Sequence, residues 1–168
     1  MGAAHRLHEE TSAADPLDMV EMLAARHDWP LVRSGESEAQ LIVTGDHADY
    51  QLTLGWHDEL ESLQLACMFS LKARAARGGE MARLVGRINE RLLMGHFEYW
   101  ENEGLALYRD SLNLAGGAPV SETQCQSLIH LAISACERYY PAFQFVLWAG
   151  RSASEALDAC LFETAGEA

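Results

Sequence analysis

Between Asn89 and Arg109 the hydrophobic period of the chain changes from 3.6 to two across a single glycine, and this restricts the fold more than any other feature of the sequence. Leu84, Val85, Ile88 and Leu92 fall on one face of a helix that the spacing carries to about Met94. Gly95 stands just past that point, where a left-handed residue ends a helix at little cost to glycine. From His96 the pattern alternates: Phe97 and Tyr99 point one way, His96, Glu98 and Trp100 the other. After the polar turn at 101–104, Leu105 and Leu107 alternate with Ala106 and Tyr108, which completes a β-hairpin. Phe97, Leu107 and Ile88 are expected to meet where the helix packs on the hairpin.

The remaining elements follow from the same rules. Asp15-Pro16 is an N-cap with proline at the first helical position, and Leu17, Val20, Leu23 and Ala24 continue a helix to about His27. Leu31–Arg33, Leu41–Val43, Tyr50–Trp56 and Leu63–Leu71 read as four strands of a meander, the last two with clear period-two alternation. Ser121 to Gln124 is a capping-box start for a helix whose apolar stripe runs from Leu128 to Tyr140. Pro141 is expected to kink or restart that helix, and Ser152 to Glu155 begins a short last one. The order α-β-β-β-β-α-β-β-α-α defines an α+β domain, an antiparallel sheet meander with helices packed on it. One domain over 15–162 is expected, flanked by a flexible N-terminal tail at 1–14 and a C-terminal tail at 163–168.

Charge and cysteine content narrow the function classes. A net charge of −13 opposes general binding to nucleic acid or anionic membranes, and no apolar run approaches the ~18 residues of a membrane span. Cys67, Cys125, Cys136 and Cys160 form no C-x-x-C pair and stand among apolar neighbours, as in reduced cytoplasmic proteins. The charges are segregated: seven carboxylates and no Lys or Arg lie between Ser34 and Leu71, while six of the twelve basic residues lie between Lys72 and Arg91. Either these are two solvated faces, or they are complementary surfaces within a dimer or toward a partner.

The run Ile88-Asn89…Leu92…Gly95-His96-Phe97…Gly104 to Arg109, with Tyr139 to Phe143, Gly150 and Glu155 to Leu157, resembles the pattern of the YbjN-like bacterial proteins, a family of sensory transduction regulators. The resemblance covers roughly 16–160. It implies a fold similar to that of type III secretion chaperones and brings no catalytic residues with it.

No catalytic signature stands in the sequence. None of the seven histidines falls in a metal-binding spacing, and His96-x-Glu98, the one minimal ligand pair, reads as a polar stripe beside Trp100. There is no nucleophile elbow, and Gly78-Gly79 and Gly116-Gly117 lack the phosphate-loop pattern. The chain is therefore expected to be neither an enzyme nor a holder of cofactor or metal. Arg83, Arg87 and Arg91 recur along one side of the central helix, and with Trp100 and Trp148 they form the expected partner-binding surface. The reading is a cytoplasmic protein-binding module that forms a homodimer, chaperone-like or a regulatory adaptor. A small-ligand sensor or degenerate enzyme, with a pocket between the sheet and the C-terminal helices, is the alternative.

Overall fold

The first helix, α1 (Pro16–Arg26), begins where the sequence places it, with the Asp15 carboxylate accepting the Leu17 N–H at 2.9 Å. The computed structural model describes residues 15–166, so the stretch expected to be a flexible N-terminal tail, 1–14, lies outside the described residues. Four strands follow: β1 (Leu31–Arg33), β2 (Glu38–Thr44), β3 (Asp49–His57) and β4 (Ser62–Lys72). Next come α2 (Gly78–Asn89), the hairpin β5 (His96–Trp100) and β6 (Leu105–Asn113), then α3 (Glu122–Leu147) and α4 (Ala153–Gly166). The expected order of helices and strands is the one observed. α4 continues four residues into the stretch expected as a C-terminal tail.

The strands form one antiparallel sheet in the order β1-β2-β3-β4-β6-β5. Leu52 pairs with Leu41 on one side and Cys67 on the other, and these three turn to the same face. On that face they join the core cluster with Leu17 and Leu23 of α1, Leu84 and Ile88 of α2, Ile129 and Phe143 of α3 and Leu157 of α4. The opposite face carries Gln40, Ile42, Gln51, Thr53, Gln64, Ala66 and Met68, exposed or half-buried, with no helix layer over them among the described residues. All four cysteines are buried, and the Cys136 and Cys67 sulfurs, one from α3 and one from β4, lie 3.6 Å apart.

Three expectations need correction. α2 ends at Asn89, not near Met94: the Asn89 carboxamide turns to β5, accepts the Phe97 N–H at 2.8 Å and donates to the Phe97 carbonyl at 2.9 Å. Leu93 is fully exposed, so nothing rewards continuing the apolar stripe past Leu92. Leu107 does not join Phe97 and Ile88. It pairs with Glu98 and Met68 on the open face, while Tyr108, opposite Phe97, takes the place beneath the helices. Finally, of the two expectations at Pro141 the restart does not occur, since α3 runs through it from Glu122 to Leu147. Proline removes one donor, and the residues around it, Tyr139, Tyr140, Ala142 and Phe143, are all buried and fix the helix by packing.

Asn89 carries a testable share of this arrangement. Its replacement by alanine leaves a part-buried N–H and C=O of Phe97 without these partners, so chemical denaturation is expected to show a loss of about 2 kcal/mol. A loss within error of zero would show that water replaces the carboxamide.

Candidate protein-docking surfaces

Arg83 and Arg87 of the expected surface stand on the solvent side of α2, because Met81, Leu84, Val85 and Ile88 turn its other side into the core, whereas Arg91 lies in the turn after Asn89. Arg83 is tied to Glu80 at 2.5 Å. Glu80 also accepts the Ala153 N–H at 2.7 Å at the start of α4, and this bond, with Arg83 and Arg77 nearby, holds its carboxyl below the usual range. Arg87 and Arg91 are exposed, and the helix face of Arg87 bears the exposed Gly79, Ala82 and Gly86, so a neighbour can approach its backbone closely.

Trp100 lies elsewhere, on the open face of the sheet, with its indole N–H donating to Glu98 at 2.9 Å. Trp148 caps the end of α3 and is 70% exposed. No polar or ring contact joins any two of these five residues, which occupy α2 and the turn after it, the open sheet face and the end of α3.

The pair His96 and Glu98 does share a face, with Nε2 and Oε1 3.1 Å apart. Arg109 reaches the same carboxylate at 3.5 Å. Partial burial raises the Glu98 pKa, but the bonds from Trp100 and His96 and the charge of Arg109 outweigh it and leave the carboxyl below its usual range. Such a carboxylate is occupied by three donors. Among the described residues no group of three or more His, Cys, Asp or Glu is placed to hold a metal ion. Purified protein is expected to contain no stoichiometric transition metal, and elemental analysis showing about one metal per chain would overturn the structural reading of His96 and the cysteines.

Two concavities were not legible in the sequence. On the open face, Pro30, Val32, Ile42, Gln51 and Met68 line a shallow depression of about 190 Å³, and Val32 is 68% exposed. Between β2 and the first half of α3 lies a larger cleft, about 520 Å³, lined by Trp29, Val43, Ile129, His130 and Ile133. Its outer wall is His27 stacked on Trp29, ring centroids 4.6 Å apart. Neither shows a period or motif, because each is made of residues brought together only by the sheet register and by the packing of α3.

An antiparallel sheet covered on one side by helices makes this an α+β protein, and its fold is similar to that of the type III secretion chaperones. The sequence model of the YbjN family, "Putative bacterial sensory transduction regulator", matches residues 16–145, and the chain belongs to that family. A search of curated proteins gave no significant match. Among solved structures, a chain of the ExsC–ExsE complex is similar, with 18% identity, a TM-score of 0.56, and 73% of this chain and 88% of that chain covered. A chain of the HopA1–SchA chaperone–effector complex aligns at 13% identity and TM-score 0.48, covering 70% and 86%. YbjN from E. coli, a "putative transcription regulator", aligns at 13% and 0.47, covering 74% and 93%. These likenesses concern the fold. No helix among the described residues is long and apolar enough to cross a membrane.

Proposed function

We propose that this chain is a non-catalytic protein-binding module, chaperone-like or a regulatory adaptor of a bacterial signalling or stress pathway, working in the cytoplasm. The observation that carries this reading is the sheet face that no described helix covers, where Val32 and Ile42 on the neighbouring strands β1 and β2 stand 68% and 39% exposed around a depression that Met68 also lines, and Trp100 stands 42% exposed on β5. The likeness to a chain of the two-protein ExsC–ExsE complex supports a protein partner, and the buried thiols of Cys67, Cys125 and Cys136, none in a disulfide, support a reducing compartment. The cleft of about 520 Å³ beside Trp29 favours the second reading, a small-ligand sensor. Affinity capture followed by reconstitution from purified components tests the first reading, and a thermal-shift metabolite screen tests the second. A complex of fixed stoichiometry supports the adaptor. A metabolite that stabilises the protein through Trp29, with no reconstituted complex, would replace it with the sensor.

We also propose a homodimer in which the Glu36–Glu61 region of one subunit lies near Arg83, Arg87 and Arg91 of the other. The arrangement is supported by the separation of these charges, since Asp15, Glu36, Asp58 and Glu61 border a concavity of about 610 Å³ while Arg87 stands exposed on α2 and Arg91 in the turn after it. Exposed ion pairs contribute only ~0–1 kcal/mol each, so apolar burial holds such a dimer and charge sets its register. Light scattering at micromolar concentration is expected to give twice the monomer mass with a modest decrease in salt, and Arg87→Glu is expected to pair less well. A mass near 18.6 kDa in low salt would end the proposal.

A further inference from the structure

The sheet has a gap inside it. β6 pairs with β4 continuously from Leu107 to Asn113, with a register shift before Leu105, but β5 covers β6 only from Leu105 to Arg109. Among the described residues no strand lies on the β5 side of β6 beyond Arg109. The direction of each backbone group there follows from the register. Phe97 gives its N–H and C=O to Asn89, away from β6, so its opposite number Tyr108 bonds toward β4 and the odd residues of β6 bond toward β5. The Leu114 N–H, an even position, donates to Glu61 on the β4 side at 2.8 Å, as the alternation requires. Ser111 and Asn113 therefore present their backbone groups to the gap, and the Ser111 N–H is meanwhile held by its neighbour's carboxylate, Asp110 Oδ1, at 2.8 Å.

Two concavities of opposite character flank this gap, one on each side of the sheet. On the helix side, Met94, Leu112, Leu128 and Leu131 line an apolar groove of about 250 Å³, with Met94 and Leu131 partly exposed. On the open side, Gln64, His96, Glu98, Arg109 and Ser111 line a polar one of about 380 Å³. In the polar pocket the carboxylates are already engaged: Glu98 with His96, Trp100 and Arg109, and Asp110 with Tyr108 and Ser111. The Arg109 guanidinium has five donors and one long bond, so the pocket has donors to spare and favours an acceptor.

We propose that an extended segment of a protein partner completes the sheet here, pairing its backbone with Ser111 and Asn113. This rests on the protein-binding reading above and specifies the segment. Successive side chains of a strand point to opposite faces, so the residue opposite Leu112 enters the apolar groove beside Leu131, and the residue opposite Ser111 reaches Arg109. The segment alternates a leucine-sized apolar residue with aspartate or glutamate.

The probe is a blocked, fluorescently labelled octapeptide of alternating leucine and glutamate, compared by anisotropy with its leucine–lysine counterpart. The leucine–glutamate peptide is expected to bind wild type saturably and at least tenfold more tightly. Ser111→Pro removes an edge donor that β4 does not use, and is expected to weaken binding tenfold or more. Arg109→Glu is expected to reverse the preference between the two peptides, and Leu131→Asp gives a second, independent loss should Ser111→Pro fail to fold. Absence of saturable binding, equal affinity for both peptides, or full binding by folded Ser111→Pro overturns the proposal. A doubled mass for wild type that Ser111→Pro abolishes makes a second copy the occupant, and also overturns it. A reconstituted partner complex that Ser111→Pro leaves intact sinks this edge while the adaptor reading stands.

Discussion

Replacing Phe97 with alanine is expected to destabilise the protein by about 3–5 kcal/mol in urea or guanidinium unfolding, the range for removing a fully buried aromatic ring. The ring is 1% exposed and sits at the meeting point of sheet and helices. Tyr108 of β6, Phe143 and Tyr139 of α3 and Phe69 of β4 surround it at centroid distances of 5.4, 5.5, 6.1 and 6.5 Å. Three of these contacts are near perpendicular, the edge-to-face geometry that adds to the area term. A loss below about 1 kcal/mol would mean that Phe97 does not face the core.

Gly95→Ala is expected to have an effect of similar size, about 3–5 kcal/mol, from two causes that add. Its φ of +63° is a left-handed conformation that disfavours any side chain by ~1–2 kcal/mol. A Cβ there would also lie 1.9 Å from the Tyr108 hydroxyl oxygen and 2.2 Å from Cζ. That ring cannot move away, since it is buried against Phe97 and its hydroxyl lies 3.2 Å from both the Met94 carbonyl and Asp110. Gly35 separates the two causes: its φ is +80°, but no atom lies within 4 Å of a Cβ built there. Gly35→Ala should therefore show the backbone part alone, ~1–2 kcal/mol, and equal losses at the two sites would refute the steric account.

The hairpin and its glycine were legible because a change of period survives any phase error, whereas the phase itself was not always readable. Along β5 the polar residues His96 and Glu98 mark the outward face, and the assignment of Phe97 was right. Along β6 the run Leu105-Ala106-Leu107-Tyr108 is apolar at every position, so nothing local shows which half points to the helices. Pairing decides it, through Tyr108 opposite Phe97. The end of α2 was misplaced for a related reason: Leu92 and Leu93 extend the helical stripe on paper, but Asn89 finds its partners eight residues on, in β5. The family pattern around Ile88, Asn89, Gly95 and Phe97 thus marks a structural joint. The candidate surfaces were less legible still. The arginine stripe is a property of one helix and could be seen, while the cleft beside Trp29 and the gap beside Ser111 are made by strand lengths and register.

Asn89 also has a meaning for the behaviour of many molecules together. A carboxamide offers one donor and one acceptor at the spacing of a peptide group, and in binding both polar groups of Phe97 it imitates the first rung of a further strand. Where the margin is capped in this way it cannot template its own continuation, which is the route by which β-rich proteins polymerise. The chain therefore carries a local stop at Phe97. A strand added by another copy would have to pair away from that point, at the edge of β6 beyond Arg109 or at the opposite margin, where β1 offers only Leu31–Arg33.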